Sequence, residues 1–469
     1  MAEATITRPR PRKRRVTIVA RLLMLLTVAF AATAQPAAAQ SILRDAETEA
    51  LFKDMSKSII AAAGLRPDNV DVVLINDPSI NAFVAGGQIV YIHSGLITTA
   101  DSANEVQGVI AHELGHITGG HILRFGEGVK MATSIMLLSL LLGAAAMAAG
   151  ASEAGAGILA AGQQAAMGKF LAFTRVQESS ADAAGASFLN KAGISGKGSL
   201  SFFKKLQNQE FRYAIPQEDS YARTHPLTGE RMAALEDVYK KAPSWDAKSD
   251  PALEARFQRV KAKLAGFVDD PKRTLQKYPE TNKTIPARYA RAYAWHKTAY
   301  PDKALAEVDS LLGASPQDAY FLELRGQVLL ESGRPAEALE SLRVAVAQAP
   351  DQPLIAALLG HALIATEKTE YLEEAKTVLR TAIGRDNSNP FAWYQLGIVY
   401  DREGDQGRAA LATAERYNLE NQPTLALANA EQALSAIPSG TRDWLRAQDI
   451  AMVSRTAVKN QKRGHDGRK

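Results

Sequence analysis

One spacing of 34 residues, shared by several positions at once, constrains this chain more than any other feature. Ala304, Val308, Leu311 and Pro316 recur as Ala338, Leu342, Ala345 and Pro350, and Gly326 recurs as Gly360. A third unit, lengthened near Thr366 to Tyr371, continues through Ala375, Leu379 and Ala382. A fourth carries Trp393, Leu396, Gly397, Tyr400 and Ala409. A unit of this length cannot bury its own apolar face and must stack on its neighbours, so 285–437 is expected to be an all-α solenoid.

The spacing and residue set resemble the tetratricopeptide repeat, in which small residues let two antiparallel helices touch and large ones fill the next groove. The resemblance implies a surface for docking other proteins. Trp295 and Trp393 are read as repeat core, and His296 and His361 as packing or surface residues of repeat helices.

The residues before the repeats carry a different chemistry. Ser102 and Glu105 have capping-box spacing, so a helix is expected from Ser102 through Val109, Ile110, His112 and His116 to Gly119-Gly120. On that helix His112 and His116 stand four apart on one face, and Glu113 points beside them, as a zinc site of the HExxH kind requires. A catalytic zinc keeps one position open for water and needs a third protein ligand. The HExxHxxGxxH register fails, because Gly119 fits but the third histidine position is Ile122 and His121 falls one residue early. Glu178, in Gln177-Glu178-Ser179-Ser180-Ala181-Asp182, is the alternative, with Asp182 one turn on to accept a hydrogen bond from a ligating imidazole.

HELGH, the ESSAD segment, the stretch from Asn81 to Gly87 and Thr224-His225-Pro226 stand in the order seen in the M48 family of zinc peptidases. The resemblance covers roughly Glu47 to Asp237. It implies one zinc per chain on His112, His116 and Glu178, Glu113 as catalytic carboxylate, and Asp182 in support. Two readings of His225 stand open at the metal: donor to the developing oxyanion, a role open to Arg231 too, or fourth ligand holding the enzyme inactive. A cap before Pro226 is the bland alternative. His121 is read as a cap or surface residue and His93 as structural.

The expected fold is α+β, mostly helical: a zincin-type domain over 40–245 with a small antiparallel sheet, a helical linker over 246–284, the repeats, and a basic tail over 438–469. The sheet is read from Asp71–Ile75 and Gln88–Ile92. The second strand, approached through Gly86-Gly87, is the expected edge for an extended, unfolded substrate. Between the ligand segments, Met131 to Ser152 and Ala154 to Gly168 hold no charge. Two readings of 131–168 stand, a membrane-apposed hairpin or a buried pair of Ala/Gly-rich helices. A single crossing is excluded, since both flanks share one metal.

The basic residues Arg8 to Arg15, the apolar stretch Leu22 to Ala32 and Ala37-Ala38-Ala39 read as an export signal over 1–39, with an uncleaved anchor as the alternative. The net charge of +5 resides mostly at the two ends, which argues against a nucleic-acid-binding face. No cysteine occurs, so neither disulfide nor lipid-bearing thiol is available. With the M48 resemblance, the expectation is a periplasmic endopeptidase acting on unfolded or misassembled envelope proteins, its repeats docking substrate or an outer-membrane assembly machine. The competing expectation is a periplasmic chaperone or adaptor with a mainly structural zinc; a retained Glu113 favours the enzyme.

Overall fold

The computed structural model describes residues 41–148, 151–213, 225 and 228–466. The expected export signal lies outside them, as do Thr224 and Pro226. A short strand β1 (Ile42–Leu43) leads into helix α1 (Ala46–Ala62), whose first turn is capped by Asp45 accepting from the Thr48 amide at 2.8 Å. Strands β2 (Asp71–Ile75), β3 (Ala82–Ala85) and β4 (Ile89–His93) follow.

The sheet order is β1-β2-β4-β3, with β4 parallel to β2 and antiparallel to β3. The expectation of an antiparallel sheet is therefore corrected: the sheet is mixed, because the chain crosses from β2 to β3 before turning back. Gly86 and Gly87, at φ of 62° and 104°, form that turn, a backbone conformation other residues resist. β4 is thus interior, and the open edge near the site is β3.

Helix α2 (Ser94–Thr99) and the N-cap Ser102 then lead into α3 (Ala103–Thr118), every residue of which is buried as far as His116. The Ser102 hydroxyl accepts from the Glu105 amide, while Glu105 reaches back to the Asp101 amide at 2.8 Å, one residue earlier than a capping box. Helices α4 (His121–Ala148) and α5 (Ser152–Lys191) form a long antiparallel hairpin, and α6 (Lys197–Tyr213) and α7 (Gly229–Lys241) complete the domain. α3 lies close against α5 through two glycines. A Cβ on Gly115 would stand 2.6 Å from the Ala181 carbonyl oxygen, and one on Gly185 would stand 3.0 Å from that of Ala111.

Helices α8 (Pro251–Val268) and α9 (Pro271–Lys277) join this domain to helix pairs α10/α11 (Ile285–Lys297, Pro301–Ala314), α12/α13 (Ala319–Glu331, Pro335–Gln348), α14/α15 (Pro353–Ala365, Leu372–Arg385) and α16/α17 (Pro390–Arg402, Gln406–Leu419). α18 (Pro423–Ala436) and α19 (Arg442–Asp466) follow. The repeated glycines explain the spacing: Gly326 makes room for Leu342, and Gly360 for Leu379, within each pair. The expected tail at 438–469 is instead largely helical, and Ala447, Ile450 and Ala451 of α19 bury against α17 and α18. Its basic residues gave no hint of that apolar stripe.

Candidate metal centre

Four side chains from two helices and one loop position converge. His112 and His116 come from α3, Glu178 from α5, and His225 from just before α7; one ligand atom of each lies within 4.8 Å of all the others. His112 Nε2 is 3.1 Å from His116 Nε2, 3.3 Å from His225 Nδ1 and 3.4 Å from a Glu178 oxygen. Glu178 is also 3.4 Å from His116 Nε2 and 3.1 Å from His225 Nδ1. Ligands placed about 2.0 Å from a tetrahedral zinc stand roughly 3.3 Å apart, so these donors have the separation a zinc-sized ion needs.

Charge gives the same answer. Among the described residues, the buried carboxylates Glu113, Glu178 and Asp182 are accompanied by one guanidinium, Arg231, which pairs with Glu178 and Asp182. Three buried acidic side chains beside one guanidinium make a pocket that suits a cation. Glu113 is wholly buried and neither carboxylate oxygen has a hydrogen-bond partner among the described residues; the ring nitrogen Nε2 of His225 stands 3.6 Å away. Such a group is costly unless something in the pocket uses it.

The supporting contacts hold the imidazoles in place. Asp182 Oδ1 is 3.0 Å from His112 Nδ1, and Arg231 grips Asp182 with Nε and Nη2 at 2.8 and 2.9 Å. Arg231 also reaches Glu178 at 3.2 Å, so its guanidinium is engaged by the carboxylates and not free to serve an oxyanion. Burial opposes the imidazolium at His112, yet Asp182 and Glu178 outweigh it and raise its pKa to about 10. Burial works against the Glu178 carboxylate too, and the three imidazoles around it hold its pKa far below the usual range. Both shifts show a pocket that attracts positive charge.

His121, read from sequence as a cap or surface residue, is buried, with Nδ1 3.0 Å from His116 Nδ1. Burial, with His116 next, lowers its pKa to about 4, so it is neutral. Were His116 to bind a metal through Nε2, its Nδ1–H would donate to His121 Nδ1, and that contact would hold the tautomer ligation needs. The turn at Gly119-Gly120 hides this from helix periodicity, because it reorients the chain before His121. Its only sequence signal was a third histidine in the motif, one residue out of register. His93 is structural, 2.8 Å from Ser79 Oγ beside Asp77.

Residues 42–239 match the model of peptidase family M48, and residues 301–353 match a tetratricopeptide repeat. The chain is 25% identical to the beta-barrel assembly-enhancing protease of Yersinia pestis over 379 residues, covering 80% of this chain and 76% of that protein. The protein of the same name from Escherichia coli K12 is 26% identical over 385 residues, with the same coverage. Metalloprotease LoiP of Escherichia coli K12 is 30% identical over 175 residues, 37% of this chain and 63% of that one. Among solved structures, the TPR protein YrrB overlays with a TM-score of 0.31 at 20% identity, covering 38% of this chain and 92% of that one.

Proposed function

We propose, from the premise that this chain is a metallopeptidase with an M48 domain followed by tetratricopeptide repeats, that it is a zinc-dependent endopeptidase of the bacterial envelope. Its substrates are misfolded or stalled outer-membrane proteins, and the repeats dock them or the assembly machinery. The observation that carries the reading is the buried, unpartnered carboxylate of Glu113 beside a converged set of three imidazoles and Glu178.

His112, His116 and Glu178 would hold zinc, which supplies a Lewis acid that acidifies a water and polarises the scissile carbonyl. Glu113 removes the proton of the attacking water and returns it to the leaving amine as the C–N bond breaks. Asp182, through His112, and His121, through His116, keep the ligand rings oriented. The free edge of β3 offers backbone groups on which an extended substrate adds as a strand.

His225 stands in the fourth donor position, 3.3 Å from His112 Nε2, and its Nε2 faces Glu113 at 3.6 Å. That placement supports the reading in which His225 closes the site and must withdraw before water and substrate enter. The likeness to the assembly-enhancing proteases supports the envelope location and the substrate class.

The test is Glu113→Gln, assayed on an unfolded polypeptide with zinc content measured in parallel. Cleavage should vanish while zinc and repeat-mediated capture persist; retained cleavage would remove Glu113 from its role. His225→Ala should raise cleavage, whereas a loss would make His225 a transition-state donor.

A further inference from the structure

The α4–α5 hairpin is the part of the described molecule that the chemistry above does not explain. Leu123 is 88% exposed, and Met136, Leu137, Leu138, Leu140, Leu141 and Leu142 are all exposed on α4. The residues of α4 that are buried are His121, Gly128 and Gly143. α4 is long and apolar enough to cross a membrane. The sequence alternative of a buried helix pair is therefore corrected, because the hairpin spends its small residues on its own seam and turns its large ones outward.

That seam is tight. A Cβ on Gly128 would collide with Phe173, one on Gly162 with Ser139, and one on Gly143 with Gly155 and Leu159. Helices pack this closely through small residues where no water drives them together, as within lipid. The same contacts give the register of the hairpin, and it places Lys130 level with Lys169, to within a turn, and Arg124 level with Arg175. From the Lys130–Lys169 level outward there is no charged residue until Glu153 at the tip.

We propose that this hairpin inserts into the hydrocarbon of a lipid bilayer as a re-entrant element, with Lys130 and Lys169 at the headgroups. From Lys130 to Ala148 the helix runs about 27 Å at 1.5 Å per residue, close to the ~30 Å of bilayer hydrocarbon. The collar of Arg124, Lys130, Lys169 and Arg175 carries four positive charges against Glu127, which suits anionic headgroups. Gln163 and Gln164, exposed on α5, are the polar exceptions, and they favour a hairpin that dips and returns over one that anchors permanently.

The collar also sets the height of the metal centre. His121 and Glu178 each stand nine residues beyond a collar lysine, Lys130 and Lys169 respectively. At 1.5 Å per residue that is about 14 Å. The site is thus held just above the lipid surface, within reach of chains emerging from or inserting into it.

Because the chain lacks cysteine, single thiols can be placed at will on the full-length protein. An environment-sensitive fluorophore on Leu141→Cys should shift to the blue on addition of phosphatidylethanolamine–phosphatidylglycerol vesicles and be quenched by nitroxides deep on the acyl chains. On Leu123→Cys, on the metal-centre side of the collar, it should be quenched by headgroup nitroxides alone, and on Leu425→Cys of the repeats it should not respond. Lys130→Gln with Lys169→Gln should weaken partitioning onto these vesicles about thirtyfold. No shift at Leu141→Cys with vesicles overturns the proposal, even if an amino-terminal leader brings the protein to the lipid. A shift that instead follows protein concentration without lipid overturns it too, and assigns the face to a second copy. Either result leaves the peptidase reading intact, since that rests on Glu113→Gln.

Discussion

The Tyr289 hydroxyl donates to Glu47 over 2.8 Å, joining the first helix of the repeats to the first helix of the peptidase domain. Glu47 is 2% exposed and also takes Arg259 and Lys263, while Arg259 continues to Asp318 of the repeats at 2.6 Å. Buried ionic groups tolerate this only when each is answered. Removing the phenol by Tyr289→Phe leaves Glu47 its two cations but loses a hydrogen bond to a charged group, worth about 1.5–3 kcal/mol. Thermal or urea unfolding should register that loss; an unchanged midpoint would mean the junction is not a stabilising contact.

Glu323, half-buried on α12 in the same junction, gives it a pH dependence. Burial raises its pKa to about 8; Lys263 opposes the rise, and Asp45, Glu47 and Glu49 add to it. A carboxyl whose folded pKa is raised binds its proton more tightly when folded, so its contribution is full below about pH 4.5 and is lost as pH rises through about 8. The melting temperature should therefore fall between about pH 5 and pH 8 and level off above, and Glu323→Gln should flatten that fall. A variant with the slope of the unaltered protein would show that Glu323 is not the group responsible.

His121→Ala tests the imidazole chain behind the metal ligand. Groups that orient ligating histidines contribute about 10–100-fold to metal affinity, so zinc measured by competition with a chelator should be held more weakly by that factor. Asp182→Ala should behave alike through His112. Zinc retained at full affinity in His121→Ala would leave the Nδ1–Nδ1 contact without a role in binding.

Gly115→Ala probes the approach of the two ligand helices. The new methyl group meets the backbone of Ala181, which cannot swing aside as a side chain would. Overpacking of this kind costs about 1–3 kcal/mol. Stability and zinc retention should drop together, because the same shift moves Glu178 from His112. Gly126→Ala on α4, where a Cβ meets nothing within 4 Å, should gain slightly, by up to about 1 kcal/mol.

Much of the site was legible because its chemistry is local. His112, Glu113 and His116 share one turn, and Ser102 announces where their helix begins. Glu178 and Asp182 could be nominated for residue type and spacing, and the repeat could be read from five shared offsets. What escaped was set by turns and crossings. The parallel pairing of β2 with β4 depends on the route of the chain through β3, which alternation within each strand does not encode. The burial of His121 depends on the positive φ of Gly120, at 61°. The engagement of Arg231 with Asp182 joins residues 49 apart, a distance at which one sequence carries no pairing signal.

Helix α5 runs from Ser152 to Lys191 without a proline, a rod of about 60 Å at 1.5 Å per residue. Its glycines Gly143-facing Gly155 and Gly162 lie in the outer seam, while Gly185 is clamped against α3. A rod held at one end and seated in a different medium at the other is a lever. The inner clamp makes Glu178 the short arm, so large excursions of the tip reach the ligand as small rotations, and α3 resists even these.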